Sequence, residues 1–177
     1  MKASAFVVGP PDGPGAAVMD MAKGLGFASV ANYSGIAAAD GQARVTPLVF
    51  FLFSAVADVT SLRDVASAIR YATSRRIRFS PMVYFAETAS VDTIKRCIDM
   101  GFDDVVTLPF TRNRLETRIE RMVDRTQVYC ETARYFGPDH RGVMDHDEDA
   151  GQYRRLEIVR SSDRGVSVVR DEICVAV

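Results

Sequence analysis

The chain has 177 residues, 47% of them hydrophobic, enough for one domain with a real core and an extension. Its 22 basic and 23 acidic side chains leave a net charge of -1, so no whole-molecule field draws it to nucleic acid or to an anionic membrane. Cys97, Cys130 and Cys174 are odd in number and form no CxxC pair, which argues against a disulfide framework or a cysteine zinc site and reads them as reduced packing residues. The apolar start is cut by Gly9 and Pro10 and is too short for a signal segment or a membrane span, so the cytoplasm is the expected location.

Apolar runs recur at regular intervals, each followed by a helix-like stretch. "AFVVG" (5–9) predicts a strand, and "AAVMDMAKGLGF" (16–27) a helix with Val18, Met21, Ala22 and Leu25 on one face. "ASVANYS" (28–34) predicts a second strand and "GIAAADGQA" (35–43) a short helix. "PLVFFLF" (47–53) is apolar at almost every position, the pattern of a central strand covered on both faces of a parallel sheet. "SLRDVASAIRYATSRR" (61–76) predicts a helix on Leu62, Val65, Ala66 and Ile69, and "PMVYFA" (81–86) the fourth strand. "SVDTIKRCIDMG" (90–101) has an N-cap at Ser90, an acidic Asp92 in its first turn and a terminating Gly101. "DVVTL" (104–108) is strand five. Alternation of this kind predicts a doubly wound parallel α/β fold, with five strands in the flavodoxin-like order 2-1-3-4-5 and a site at their carboxyl ends.

Two segments carry a specific resemblance. "GFDDVVTLPF" (101–110) is similar to the Gly-Ala-Asp-Asp-Tyr-Leu-Thr-Lys-Pro-Phe segment of bacterial response regulator receiver domains, and "PLVFFLF" to their third strand, Pro-Asp-Leu-Val-Leu-Leu-Asp. The likeness spans residues 4–125. Receivers transfer a phosphoryl group to an aspartate at the end of strand three. An acidic pair after strand one holds Mg2+, a lysine after strand five neutralises charge, and a Thr or Ser after strand four binds the phosphoryl oxygen. At the matching positions this chain has Gly9 and Pro10, Phe53, Leu108 and Ala86. The strand-five aromatic position is Val105. The resemblance therefore implies a degenerate receiver, with no catalytic residue, no metal and no cofactor. Losing these charges together is coherent, because one left buried without its partners costs roughly 3 to 5 kcal/mol. The resemblance also implies a cis Leu108–Pro109 bond. A displaced acceptor at Asp12, Asp58 or Asp104 is one alternative, and a small-molecule sensor at the strand ends is another.

Other motifs are weaker. "GPPDGPGA" after strand one lacks the Gly-Lys-Ser/Thr ending of a phosphate loop. "DHRGVMDHDEDA" (139–150) holds His140 and His146 among carboxylates and reads as a solvated loop before it reads as a metal site.

Beyond the receiver-like unit (1–125), residues 126–177 are expected to form a helix extension and a β-like arm. "RLETRIERMVDRTQVYCETARYF" keeps helical spacing and predicts an extended fifth helix. "ARYFGPDHRG" (133–142) resembles the YFGPDRR segment of alphaproteobacterial stand-alone response regulators. "LEIV" (156–159), "VSVV" (166–169) and "ICVAV" (173–177) are too few residues for their own core and must dock; the expectation is a dimerisation arm exchanged between two protomers, with docking on the same receiver as the alternative. Arg114, Arg118, Arg121, Arg125, Tyr129, Tyr135 and Phe136 are the interface candidates. The expected activity is phosphorylation-independent two-component signalling through protein contacts, as a homodimer or with a histidine kinase or another response regulator.

Overall fold

In the computed structural model, residues 2–88, 90–140 and 151–175 are described. The first 107 residues build a parallel sheet from β1 (Ala3–Val8), β2 (Ser29–Asn32), β3 (Leu48–Phe53), β4 (Met82–Ala86) and β5 (Asp104–Thr107), in the order β2-β1-β3-β4-β5. Every residue of β3 is buried, because β1 and β4 flank it and helices cover both of its faces. Val49, Phe51 and Phe53 point into one apolar layer, and Leu48, Phe50 and Leu52 into the other. The helices are α1 (Gly13–Gly24), α2 (Ile36–Val45), α3 (Arg63–Arg70), α4 (Arg75–Arg78), α5 (Val91–Asp99) and α6 (Arg112–Glu120). Ser90 caps α5 by accepting from Thr93 N at 3.0 Å, and Gly101 ends that region at φ 81. The Leu108–Pro109 bond is cis.

Two expected helices are corrected. The run 61–76 breaks in two, since Tyr71 leaves helical geometry and Ser74 starts α4 as an extended N-cap. The fifth helix is not extended: α6 stops at Glu120, Asp124 turns the chain at φ 54, and β6 (Thr126–Glu131) follows. Val128, Tyr129 and Cys130 are good strand residues, and pairing with a later strand together with a buried partner for the Tyr129 hydroxyl overrides the helical spacing.

β6, β7 (Phe136–Pro138), β8 (Gln152–Ser161) and β9 (Gly165–Val175) form a second, antiparallel sheet in the order β7-β6-β8-β9. A turn leads from Ser161 at the end of β8 to Gly165 at the start of β9, and VSVV and the described part of ICVAV lie on one strand with a bulge opposite Glu157/Ile158. This sheet docks on the chain's own parallel-sheet unit. Tyr129, Phe136, Leu156 and Ile158 close over Phe79, and Lys2 reaches Asp163 at 2.9 Å.

Candidate functional site

The carboxyl ends of the strands are where the resemblance puts the degenerate phosphorylation-site positions. Gly9 leaves β1 at φ 148, and a Cβ built on it would lie 1.9 Å from Ser54 Oγ. The two residues thus close the gap between β1 and β3, and Ser54 N donates to Val8 O at 2.9 Å. Ser54 is fully buried, and its hydroxyl has no hydrogen-bond partner among the described residues. Phe53 turns its ring into the core, edge-on to Phe102 at 4.7 Å. Pro10 is held by the tight loop, its carbonyl packed against Gly15. Ala86 is buried, and Leu108 is half exposed. The Mg2+ that phosphorylating receivers use does not fit here, because none of Gly9, Pro10, Phe53 and Ser54 carries a carboxylate ligand. Among the described residues no three His, Cys, Asp or Glu side chains gather as a metal site.

The displaced aspartates have other occupations. Asp58 caps a short 3-10 turn, accepting from Thr60 N at 2.9 Å and Thr60 Oγ1 at 2.7 Å, and these bonds hold its carboxyl below the usual range. Asp104 begins β5 at the opposite end of the sheet, where Arg118 forks onto it at 2.7 and 2.6 Å. Asp12 precedes α1 as an exposed, extended residue that makes no side-chain cap bond.

The concentrated electrostatics lie at the amino end of the sheet, in the joint with the arm. Asp103 is buried between two buried arginines. Arg70 Nη2 donates to Oδ2 at 2.6 Å and Arg160 Nη2 to Oδ1 at 2.6 Å. Met82 N donates to Oδ2 at 2.8 Å, and the Tyr129 hydroxyl to Oδ1 at 2.8 Å while accepting from Arg160. Of the other donors, Arg70 Nε meets the Gly101 carbonyl (2.8 Å), Arg70 Nη1 that of Ser80 (2.8 Å) and Arg160 Nε that of Phe79 (2.7 Å), whereas the buried Arg160 Nη1 has no hydrogen-bond partner among the described residues. Burial alone would raise the Asp103 pKa, but the charges of Arg160 and Arg70 outweigh it and hold the carboxyl below its ordinary value. Burial pushes the Tyr129 phenol upward, so it stays a neutral donor.

Glycines set the closeness of this joint. A Cβ on Gly137 would lie 2.7 Å from Gly101 Cα, and one on Gly101 would lie 2.7 Å from Phe136 O. The "YFGPD" stretch is therefore a backbone-on-backbone contact, with the Tyr135 hydroxyl donating to Pro138 O at 2.8 Å.

Of the interface candidates, Tyr129 and Phe136 are not surface residues: both are buried within the chain's own joint, because their rings complete the core over Phe79. Tyr135 is partly buried beside them. Arg114, Arg121 and Arg125 are exposed, and Arg118 is occupied by Asp104. Asp103, Arg70 and Arg160 were missed in the sequence, although Arg160 continues the alternation Leu156, Ile158, Arg160 on the inward face of β8. His140 Nε2 lies 3.1 Å from Phe102 O, whereas His146 and the rest of its acidic loop fall outside the described residues.

Surface clefts among the described residues include one of about 240 Å3 beside Met21, Leu25, Phe110 and Leu115, and one of about 520 Å3 beside Arg44, Ser74, Arg75 and Arg76. Neither includes a strand-end residue.

No protein-family model matches the chain, and no curated protein does. Solved structures similar to it include a response regulator from Thermotoga maritima (17% identity, TM-score 0.46), covering 67% of this chain and 96% of that one. A second is the receiver domain of a sensor histidine kinase from Pseudomonas aeruginosa PAO1, with a magnesium ion in its active site cleft (21% identity, TM-score 0.46, 67% and 94% covered). A third is a CheY-like receiver domain protein from Methanospirillum hungatei JF-1 (19% identity, TM-score 0.42, 67% and 90% covered).

Proposed function

We propose that this chain is a receiver-type protein of two-component signalling that has lost aspartate phosphorylation and works by binding other proteins in the cytoplasm, as a homodimer. Residues 1–125 are the receiver-like unit and 126–177 the arm, with the "YFGPD" segment belonging to the joint. The carrying observation is the closed strand end. Ser54 against Gly9 and the inward Phe53 ring leave neither an acceptor carboxylate nor room beside β1 for metal ligands. A histidine kinase or another response regulator is the partner class, recognised by surface shape without phosphoryl transfer.

The test is thermal unfolding with and without Mg2+ and beryllofluoride, a phosphoryl mimic. Ligand that binds only the folded state at a hundred times its Kd would add about 2.7 kcal/mol of stability. No shift is expected. A Mg2+-dependent rise in Tm that disappears in Asp58→Asn or Asp12→Asn would overturn the reading in favour of a displaced acceptor.

A further inference from the structure

β9 is the long open edge of the molecule. It has 11 residues, pairs with β8 on one side, and has no strand on the other among the described residues. The other terminal strands, β2, β5 and β7, have 4, 4 and 3 residues. Short edges are a common protection against unwanted pairing, and β9 does not use it. It also carries exposed apolar side chains, with Val169 57%, Ile173 71% and Val175 64% accessible.

We propose that β9 pairs antiparallel with β9 of a second copy of this chain, joining two four-stranded sheets into one of eight. The inference rests on the homodimer reading above and names its surface. The charge order along the strand selects a second copy over an unrelated peptide. In a two-fold register centred on Asp171, Arg170 lies opposite Glu172 of the second copy, and symmetry repeats that pair. The same register brings Ile173 toward Val169, where the bulge opposite Glu157/Ile158 ends the regular pairing. Asp171 meets its own counterpart at the axis, and Arg154 already matches its charge through a fork at 2.7 and 2.6 Å. Arg170 and Glu172 are already paired within one copy at 2.7 Å, and association exchanges that partner for the second copy's equivalent across the axis.

Light scattering after gel filtration tests this on the full chain, with far-UV circular dichroism confirming that each variant folds. The wild type is expected to have the mass of a dimer. Ile173→Lys/Val175→Lys is expected to be a folded monomer, since both side chains are exposed and charge on an edge opposes pairing. Arg170→Glu should weaken the dimer at least about tenfold, equivalent to 1.4 kcal/mol. Arg170→Glu/Glu172→Arg should restore it. A dimer that persists in the double lysine variant overturns this surface and leaves the homodimer reading standing. A monomeric wild type overturns both. Weakening by Arg170→Glu that the charge swap does not repair overturns the register. As a check needing no variant, hydrogen exchange of the β9 amides should slow as protein concentration rises, and exchange independent of concentration counts against the proposal.

Discussion

Arg160→Met is the most direct probe of the joint. Arg160 is wholly buried and donates to Asp103 at 2.6 Å, to Phe79 O at 2.7 Å and to the Tyr129 hydroxyl. Methionine keeps much of the volume and removes the charge, so among the described residues Asp103 keeps only Arg70 as a cationic partner and Phe79 O loses its side-chain donor. Removing one partner from a buried ion pair costs roughly 3 to 5 kcal/mol. At about 2 to 4 °C per kcal/mol for a chain of this size, Tm should fall by roughly 6 to 20 °C. Arg118→Met is the matched control. Its fork onto Asp104 has the same bond lengths, 2.6 and 2.7 Å, but the two side chains are 47% and 18% exposed, and exposed pairs contribute less than about 1 kcal/mol. Urea unfolding followed by circular dichroism gives both losses, and hydrogen exchange should place the loosening caused by Arg160→Met in β8 and β9. A loss below about 1 kcal/mol for Arg160→Met, or equal losses for the two variants, would refute the assignment of the buried network as the clasp of the joint.

Three further outcomes follow from the same geometry. The folded Asp103 carboxyl is held below its unfolded pKa of about 3.9, so its contribution is full above that pH and is lost as pH falls through the folded value; the stability gap between wild type and Arg160→Met should narrow in acid denaturation below about pH 4. Gly9→Ala should cost roughly 2 to 5 kcal/mol by chemical unfolding, from backbone strain at φ 148 and the clash with Ser54 Oγ, and adding Ser54→Gly should recover only the clash. Cys97 is fully buried and burial pushes its thiol up to about 12, so thiol reagents at neutral pH should label Cys130 and Cys174 in the folded protein and reach Cys97 only on unfolding.

The parallel sheet was legible because its signals are local. The unbroken apolar run of β3, the Ser90 cap and the terminating Gly101 each speak through neighbouring residues. The joint was not, because its partners lie far apart in sequence: Asp103 meets Arg70 across 33 positions and Arg160 across 57. The same distance explains β6. Leu115 and Ile119 do pack as a helical stripe, but Tyr129 has its reason to be in a strand only once Asp103 and β8 are in place. Asp103 and Asp104, adjacent in one motif, show how little residue type alone conveys. One is buried in the clasp and the other accepts a surface fork from Arg118.

The clasp also dictates an order of assembly. The cradle for the antiparallel sheet, made of Phe79, Ser80, Gly101 and Asp103, is supplied by chain segments that precede that sheet, and it takes shape only after β4 and β5 have paired. On a ribosome the parallel sheet is therefore expected to form first, with β6 to β9 finding their seat afterwards. Until Arg160 arrives, Asp103 has, among the described residues, Arg70 alone as a guanidinium partner, so the nascent unit waits with one half of its ion pair closed and the other open.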